Sequence, residues 1–262
     1  PNIARMVESV QQYAYTVADD ASTLYVHLYM GGVVSAKLGG SDVSLEVRAG
    51  MPWNGTGAIT VTLPSSDEGQ VPESFALALR LPAWAGGESA ADSIHATGEK
   101  DSRITRTIRD GYLYLTGTWR DGDVIDFDFP MPVRMIAANP LVREDAGKVA
   151  FIRGPLAYCA EGTDNGDNLH LLHADAETIA ADPDAVHAQA AAQDERGLGE
   201  VEPVDLPMVT LTIPAWRESS QGAADKSLYA LWQPAQRQPT EVTLIPYFAW
   251  ANRGETEMAG FL

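Results

Sequence analysis

Thr23-Leu24-Tyr25-Val26-His27-Leu28-Tyr29-Met30 alternates between two kinds of side chain. On an extended backbone Leu24, Val26, Leu28 and Met30 share one face, and Tyr25, His27 and Tyr29 share the other. That period of two predicts a half-buried β-strand. It recurs downstream in 42–48, in 58–63 between Gly57 and Pro64, and in 75–81, where Phe75, Leu77, Leu79 and Leu81 alternate with Ala76, Ala78 and Arg80. Residues 112–115 and 123–129 continue it, with Ile125, Phe127 and Phe129 inward and Asp126 and Asp128 outward. Strands punctuated by Gly, Pro and Asp turns predict an antiparallel sandwich.

Upstream the period changes. Ile3, Met6, Val7, Val10, Tyr13, Ala14 and Val17 recur at steps of three and four, the apolar face of one helix. Pro1 suits a first helical turn, and Asp19-Asp20 end the helix. Downstream, Asn139-Pro140 follows the apolar run 133–138 and marks a domain boundary. Further strands are expected at 148–152, 156–160, 208–213, 228–232 and 241–250. Between 161 and 205 acids crowd around a single base, Arg196. Within that stretch 174–192 is rich in Ala and Asp with little periodicity, so an exposed insertion is expected there. The chain thus reads as mainly β, two sandwich domains behind one helix.

A net charge of −18 repels phosphate backbones and anionic lipids, so neither nucleic acid nor membrane is an expected partner. A neutral glycan is indifferent to it. No apolar run is long enough to span a bilayer, and no signal segment opens the sequence. With only one cysteine, Cys159, no internal disulfide or multi-thiolate zinc site is expected, and the location expected is cytoplasmic. Cys159 sits in the apolar run Leu156-Ala157-Tyr158-Cys159-Ala160 and reads as a buried small hydrophobe.

Few residues suggest chemistry. His170 and His173, with Asp175 near, have a spacing that on a helix serves one metal, but their Leu neighbours favour a strand, which would send them to opposite faces. Asp164-Asn165-Gly166-Asp167-Asn168 imitates a calcium loop without its spaced ligands and closing Glu, and reads instead as an ordinary turn. His27 is expected in a satisfied surface or domain contact, whereas His95 and His187 lie in loop-like sequence. Glu73, Glu88, Asp110, Asp121 and Asp123 all stand near turn signals, with no carboxylate framed as a catalytic acid. No catalytic or metal-binding residue is therefore assigned. Trp53, Trp84, Trp119, Tyr112 and Tyr114 lie near strand ends or turns, and each is either a sugar-facing or interface aromatic or core filling.

Several strings resemble glycoside hydrolase family 127, the β-L-arabinofuranosidase type, in its C-terminal part. They are Pro1-Asn2-Ile3-Ala4-Arg5, Leu24-Tyr25-Val26-His27-Leu28-Tyr29, Leu79-Arg80-Leu81-Pro82-Ala83-Trp84, Trp119-Arg120-Asp121-Gly122-Asp123, Arg153-Gly154-Pro155-Leu156-Ala157-Tyr158-Cys159, and Ile245-Pro246-Tyr247-Phe248-Ala249-Trp250-Ala251-Asn252-Arg253-Gly254. The resemblance implies that 1–18 is the last helix of an (α/α)6 catalytic barrel. It further implies a first jelly-roll-like sandwich over 19–138 completed by 241–262, and a second over 139–240 carrying an acidic insertion at about 174–205. The family's zinc-bound cysteine nucleophile and its glutamates precede the residue matching Pro1. The implied role is thus non-catalytic: bracing the missing barrel, with zinc held there and not here, and offering an oligomer interface. The alternatives are a stand-alone module binding an arabinose-containing glycan, or a subunit docking to a separate catalytic chain.

Overall fold

The computed structural model describes residues 2–64, 74–190, 208–219, 229 and 231–262. It divides into two compact units, Pro1–Pro132 and Val133–Leu262. The boundary falls just before the apolar run 133–138, not after it, because that run pairs forward as a strand of the second unit.

In the first unit, α1 (Asn2–Ser9) and α2 (Gln11–Ala14) replace the single longer helix expected. The helical face stops at Ala14 because Tyr15-Thr16-Val17, ending in two β-branched residues, forms β1 and pairs with β2 (Thr23–Val26). None of the α1 side chains is buried, and Ile3, Met6 and Val7 are exposed. The remaining strands are β3 (Gly32–Leu38), β4 (Ser41–Ala49), β5 (Thr56–Thr62), β6 (Phe75–Arg80), β7 (Ile94–Ala96), β8 (Ile104–Arg109), β9 (Tyr112–Gly117) and β10 (Val124–Asp128).

Among the described residues they form two five-stranded sheets, β1-β2-β6-β9-β8 and β3-β4-β5-β10-β7. All pairs are antiparallel except β2 with β6, where Leu24 lies opposite Leu77 and Val26 opposite Leu79. The period of two sorts the side chains. Leu24, Val26, Leu77, Leu79, Leu113 and Leu115 from one sheet share a core with Leu45, Val47, Ile59, Val61, Ile125 and Phe127 from the other. Two hairpins turn through consecutive positive φ values, Gly39-Gly40 (57° and 84°) and Asp110-Gly111 (52° and 76°). This twist is the one that tight antiparallel hairpins require.

Tyr29 departs from the expected alternation. β2 ends at Val26, the chain bends, and Tyr29 enters the core against Phe127 and Phe129 at ring separations of 4.8 and 5.1 Å. Its hydroxyl donates to the Arg80 carbonyl at 2.7 Å.

The second unit contains β11 (Val133–Ala137), β12 (Val149–Arg153), β13 (Leu156–Glu161), α3 (Gly162–Asn165), β14 (Leu172–Ala174), α4 (Ala176–Ala181), β15 (His187–Ala190), β16 (Val209–Glu218), β17 (Arg237–Pro246) and β18 (Met258–Ala259). Among the described residues its strands bond as one continuous eight-stranded sheet. Phe151, Tyr158, Leu211, Ile213, Val242 and Leu244 build the core, with Ile179 of α4 and Leu262 packed into it.

The return of 241–262 to the first sandwich does not occur. β17 pairs with β13 and β16, β18 pairs with β13, and Val149 and Leu262 exchange two 2.9 Å backbone hydrogen bonds, all inside the second unit. The stretch expected as an exposed insertion is partly regular. Asp175 caps α4 by accepting from Thr178 N–H at 3.1 Å, and β15 pairs with β16. Residues 191–207 of that insertion, and Glu73, lie outside the described residues. So do Pro1 and parts of the strand expected over 228–232, whose Tyr229, Leu231 and Trp232 are irregular and exposed.

Candidate functional site

Two places gather polar and aromatic side chains beyond what packing requires. The first lies on β2, β6 and β9, on the face opposite the core. There Ala76, Ala78, Tyr114, Tyr25 and Tyr112 alternate with the core leucines. His27 stacks on Tyr25 with ring centroids 5.8 Å apart. Its Nδ1 lies 2.7 Å from the Tyr112 hydroxyl and its Nε2 2.7 Å from Thr16 Oγ1. Burial, reinforced by the Arg80 charge, holds the imidazole below its ordinary pKa and therefore neutral at pH 7. A neutral ring has one donor and one acceptor, and the two hydroxyls match both. The Arg109 guanidinium covers the Tyr114 ring at 4.0 Å. The hydrogen bond between the Tyr114 and Tyr25 hydroxyls, followed by burial, raises the Tyr25 pKa.

The second place is the loop after β17, residues 247–253. Arg253 reaches back to Glu161 at the end of β13, donating through Nε at 3.2 Å and through Nη2 as well. Glu161 is fully buried, at 0% exposure, and also accepts the Ala251 N–H at 3.0 Å. Arg253 donates to both oxygens of Asp164 too. Those bonds, Asp164 first and Glu161 after it, hold the guanidinium above its ordinary pKa against the opposing effect of burial. Two strings far apart in sequence thus close on one another through a buried ion pair.

Asp164-Asn165-Gly166-Asp167-Asn168 belongs to this framework. Asn165 brackets the Thr243 backbone, donating to its carbonyl and accepting from its N–H, each at 2.8 Å. Arg217 donates to the Asn165 and Asp167 carbonyls at 2.6 and 3.1 Å. The segment is a braced turn, in which the Asp164 and Asn165 side chains are spent on the chain itself. Glu161 was missed in the sequence. Its one signal is its place directly after a buried apolar run, where a carboxylate needs a partner.

The five candidate aromatics separate. Tyr112 and Tyr114 meet in the first cluster. Trp53 is half-buried near the strand turn 50–56. Trp84 is half-buried against Phe129, edge to face at 6.0 Å. Trp119 is core, not a sugar-facing residue. It is 2% exposed, stacks on Phe75 at 5.8 Å, and donates Nε1–H to the Phe75 carbonyl at 3.2 Å.

Two of the turn carboxylates are structural. Asp121 accepts the Leu63 N–H at 3.0 Å. Asp123 is buried and accepts from Arg103, from the Arg120 N–H and from the Thr97 hydroxyl. Burial alone would raise its pKa, but these donors outweigh it and hold the carboxyl below its usual range. Glu88 and Asp110 are exposed. His95 and His187 are exposed on β7 and β15, in strands where loops were expected.

His170 and His173 both line a cleft of about 510 Å³ with Lys148, Glu257 and Phe261. Among the described residues, no three His, Cys, Asp or Glu side chains converge as metal ligands. Cys159 is buried, and burial, with the Glu161 charge adding, pushes its thiol up to about 11. These residues do not fit a zinc–thiolate centre. Cys159 should accordingly react with a maleimide at pH 7.5 on the order of a hundredfold more slowly in the native chain than in urea, because only local opening exposes it. Comparable rates would show that β13 is not protected.

No helix among the described residues is long and apolar enough to cross a membrane. Residues 23–131 match the sequence profile of the β-L-arabinofuranosidase family 127 middle domain, and 133–262 that of the glycoside hydrolase family 127 C-terminal domain. A non-reducing end β-L-arabinofuranosidase of Bifidobacterium longum subsp. longum is 34% identical over 99% of this chain. A solved family 127 β-L-arabinofuranosidase from Geobacillus stearothermophilus T6 superposes on the whole chain with a TM-score of 0.75 at 32% identity. A second solved family 127 β-arabinofuranosidase does so at 0.72 and 28%. The chain spans 36% of the length of the first two relatives and 37% of the third. With two adjoining domain profiles accounting for almost every residue from 23 onward, the chain belongs to glycoside hydrolase family 127.

Proposed function

We propose that this chain is the non-catalytic β-sandwich portion of an enzyme that hydrolyses β-L-arabinofuranosides, and that it braces the catalytic domain. The observation that carries this reading is coverage: the family's middle- and C-terminal-domain profiles match, while the β-L-arabinofuranosidases this chain resembles are nearly three times as long. The exposed Ile3, Met6 and Val7 of α1 support it, because an apolar helical face gains free energy by packing on a neighbour. The same face would serve a subunit docking to a separately made catalytic chain, and it is equally suited to an oligomer contact. Zinc and the nucleophile belong, in this reading, to the catalytic domain, and the location is cytoplasmic. The purified chain should release no arabinose from an aryl β-L-arabinofuranoside, with or without added zinc. Turnover that co-purifies with these residues alone would overturn the reading.

A further inference from the structure

The loop 247–253 carries three independent features. Tyr247, Phe248 and Trp250 stand 51, 43 and 39% exposed within four positions. The rings of Tyr247 and Trp250 are 6.1 Å apart and tilted by only 30°, giving two neighbouring faces of similar orientation. Ala251 has a φ of 63°, a left-handed conformation that residues with a Cβ rarely adopt. The buried carboxylate of Glu161 receives the Ala251 N–H, and Arg253 ties the end of the loop to the same carboxylate. A loop that merely connects strands needs neither a strained alanine nor a sequestered ion pair. Held strain of this kind gathers at ligand clamps, where rigidity spares the ordering entropy of binding.

We propose that this loop is a binding platform for a neutral glycan, whose sugar faces lie on the Tyr247 and Trp250 rings. An aromatic face is electron-rich and attracts the polarised C–H bonds of a sugar. Asn252, exposed two positions after Trp250, supplies an amide for sugar hydroxyls. The net charge of −18 selects against polyanionic glycans, which the whole surface repels. The platform is an activity beyond the bracing role, and its failure would leave that role standing.

The test titrates the 262-residue chain with α-1,5-L-arabinotriose and, separately, xylotriose. Calorimetry and the indole N–H resonance of Trp250 report binding. Saturable binding of at least one trisaccharide at millimolar concentration is expected. Trp250→Ala and Tyr247→Ala should each weaken it at least tenfold, whereas Tyr247→Phe should retain it, since stacking uses the ring and not the hydroxyl. Both positions are exposed, and slow Cys159 labelling verifies that the variants are folded. The proposal is overturned if neither sugar gives a saturable response, or if binding survives both alanine variants. Self-association that Trp250→Ala abolishes, without any sugar response, also overturns it and assigns the rings to a contact between copies.

Discussion

Replacing Trp119 with alanine should destabilise the first unit by about 3–5 kcal/mol, the usual cost of truncating a large buried aromatic. The ring is packed on Phe75 and sealed from solvent, so its removal leaves a cavity the two sheets cannot close without shifting. Its indole also satisfies the Phe75 carbonyl. Trp119→Phe should therefore still cost about 1–3 kcal/mol through the orphaned acceptor, even with much of the stacking retained. Urea denaturation followed by far-ultraviolet circular dichroism measures both. A Trp119→Ala chain that keeps its stability but loses sugar binding would return Trp119 to the surface role its sequence neighbours suggest.

Arg253→Met should destabilise the second unit by a similar amount, about 3–5 kcal/mol, because it strands the Glu161 carboxylate in the interior. Removing the charge as well, in Glu161→Gln with Arg253→Met, should recover a large part of that loss. The comparison separates the penalty of an unpaired buried charge from the net worth of the pair, which is much smaller. Cys159 lies two positions from Glu161 and is buried, so its labelling rate reports opening of this unit specifically. A loss under about 1 kcal/mol for Arg253→Met is what an exposed ion pair would give. It would mean that Glu161 is reached by water.

Much of the β architecture is legible along the sequence because a strand with one buried face prints its period directly. The runs 42–48, 58–63, 75–81 and 123–129 are all strands, β4, β5, β6 and β10, within a residue or two. β3 is not legible. It opens at Gly32, and its exposed Val33 and Lys37 stand among small residues, so neither face declares itself. Alternation also says nothing about partners. Residues 241–246 read as a strand in either unit, and only the hydrogen bonds to β13 and β16 place them in the second.

The site divides along the same line. Tyr112 and Tyr114 are adjacent on one strand face and could be found together. Glu161 and Arg253 are separated by 92 positions in an acid-rich chain, where another carboxylate reads as surface. Trp119 was ambiguous because Arg120, Asp121 and Gly122 announce a turn, yet a ring at a strand end can point either way.

The parallel pairing of β2 with β6 has a consequence for how the chain is made. β3, β4 and β5 belong to the other sheet and lie between the two strands in sequence. At roughly 5–20 residues per second, β2 leaves a ribosome several seconds before β6 exists. During that interval β1 can cover one edge of β2, while the edge meant for Leu77 and Leu79 stays open. The β3–β4 hairpin, turned by Gly39-Gly40, needs no such wait. Nascent chains of this unit therefore carry an unpaired, apolar strand edge for seconds, and their yield depends on what shields that edge until synthesis reaches β6.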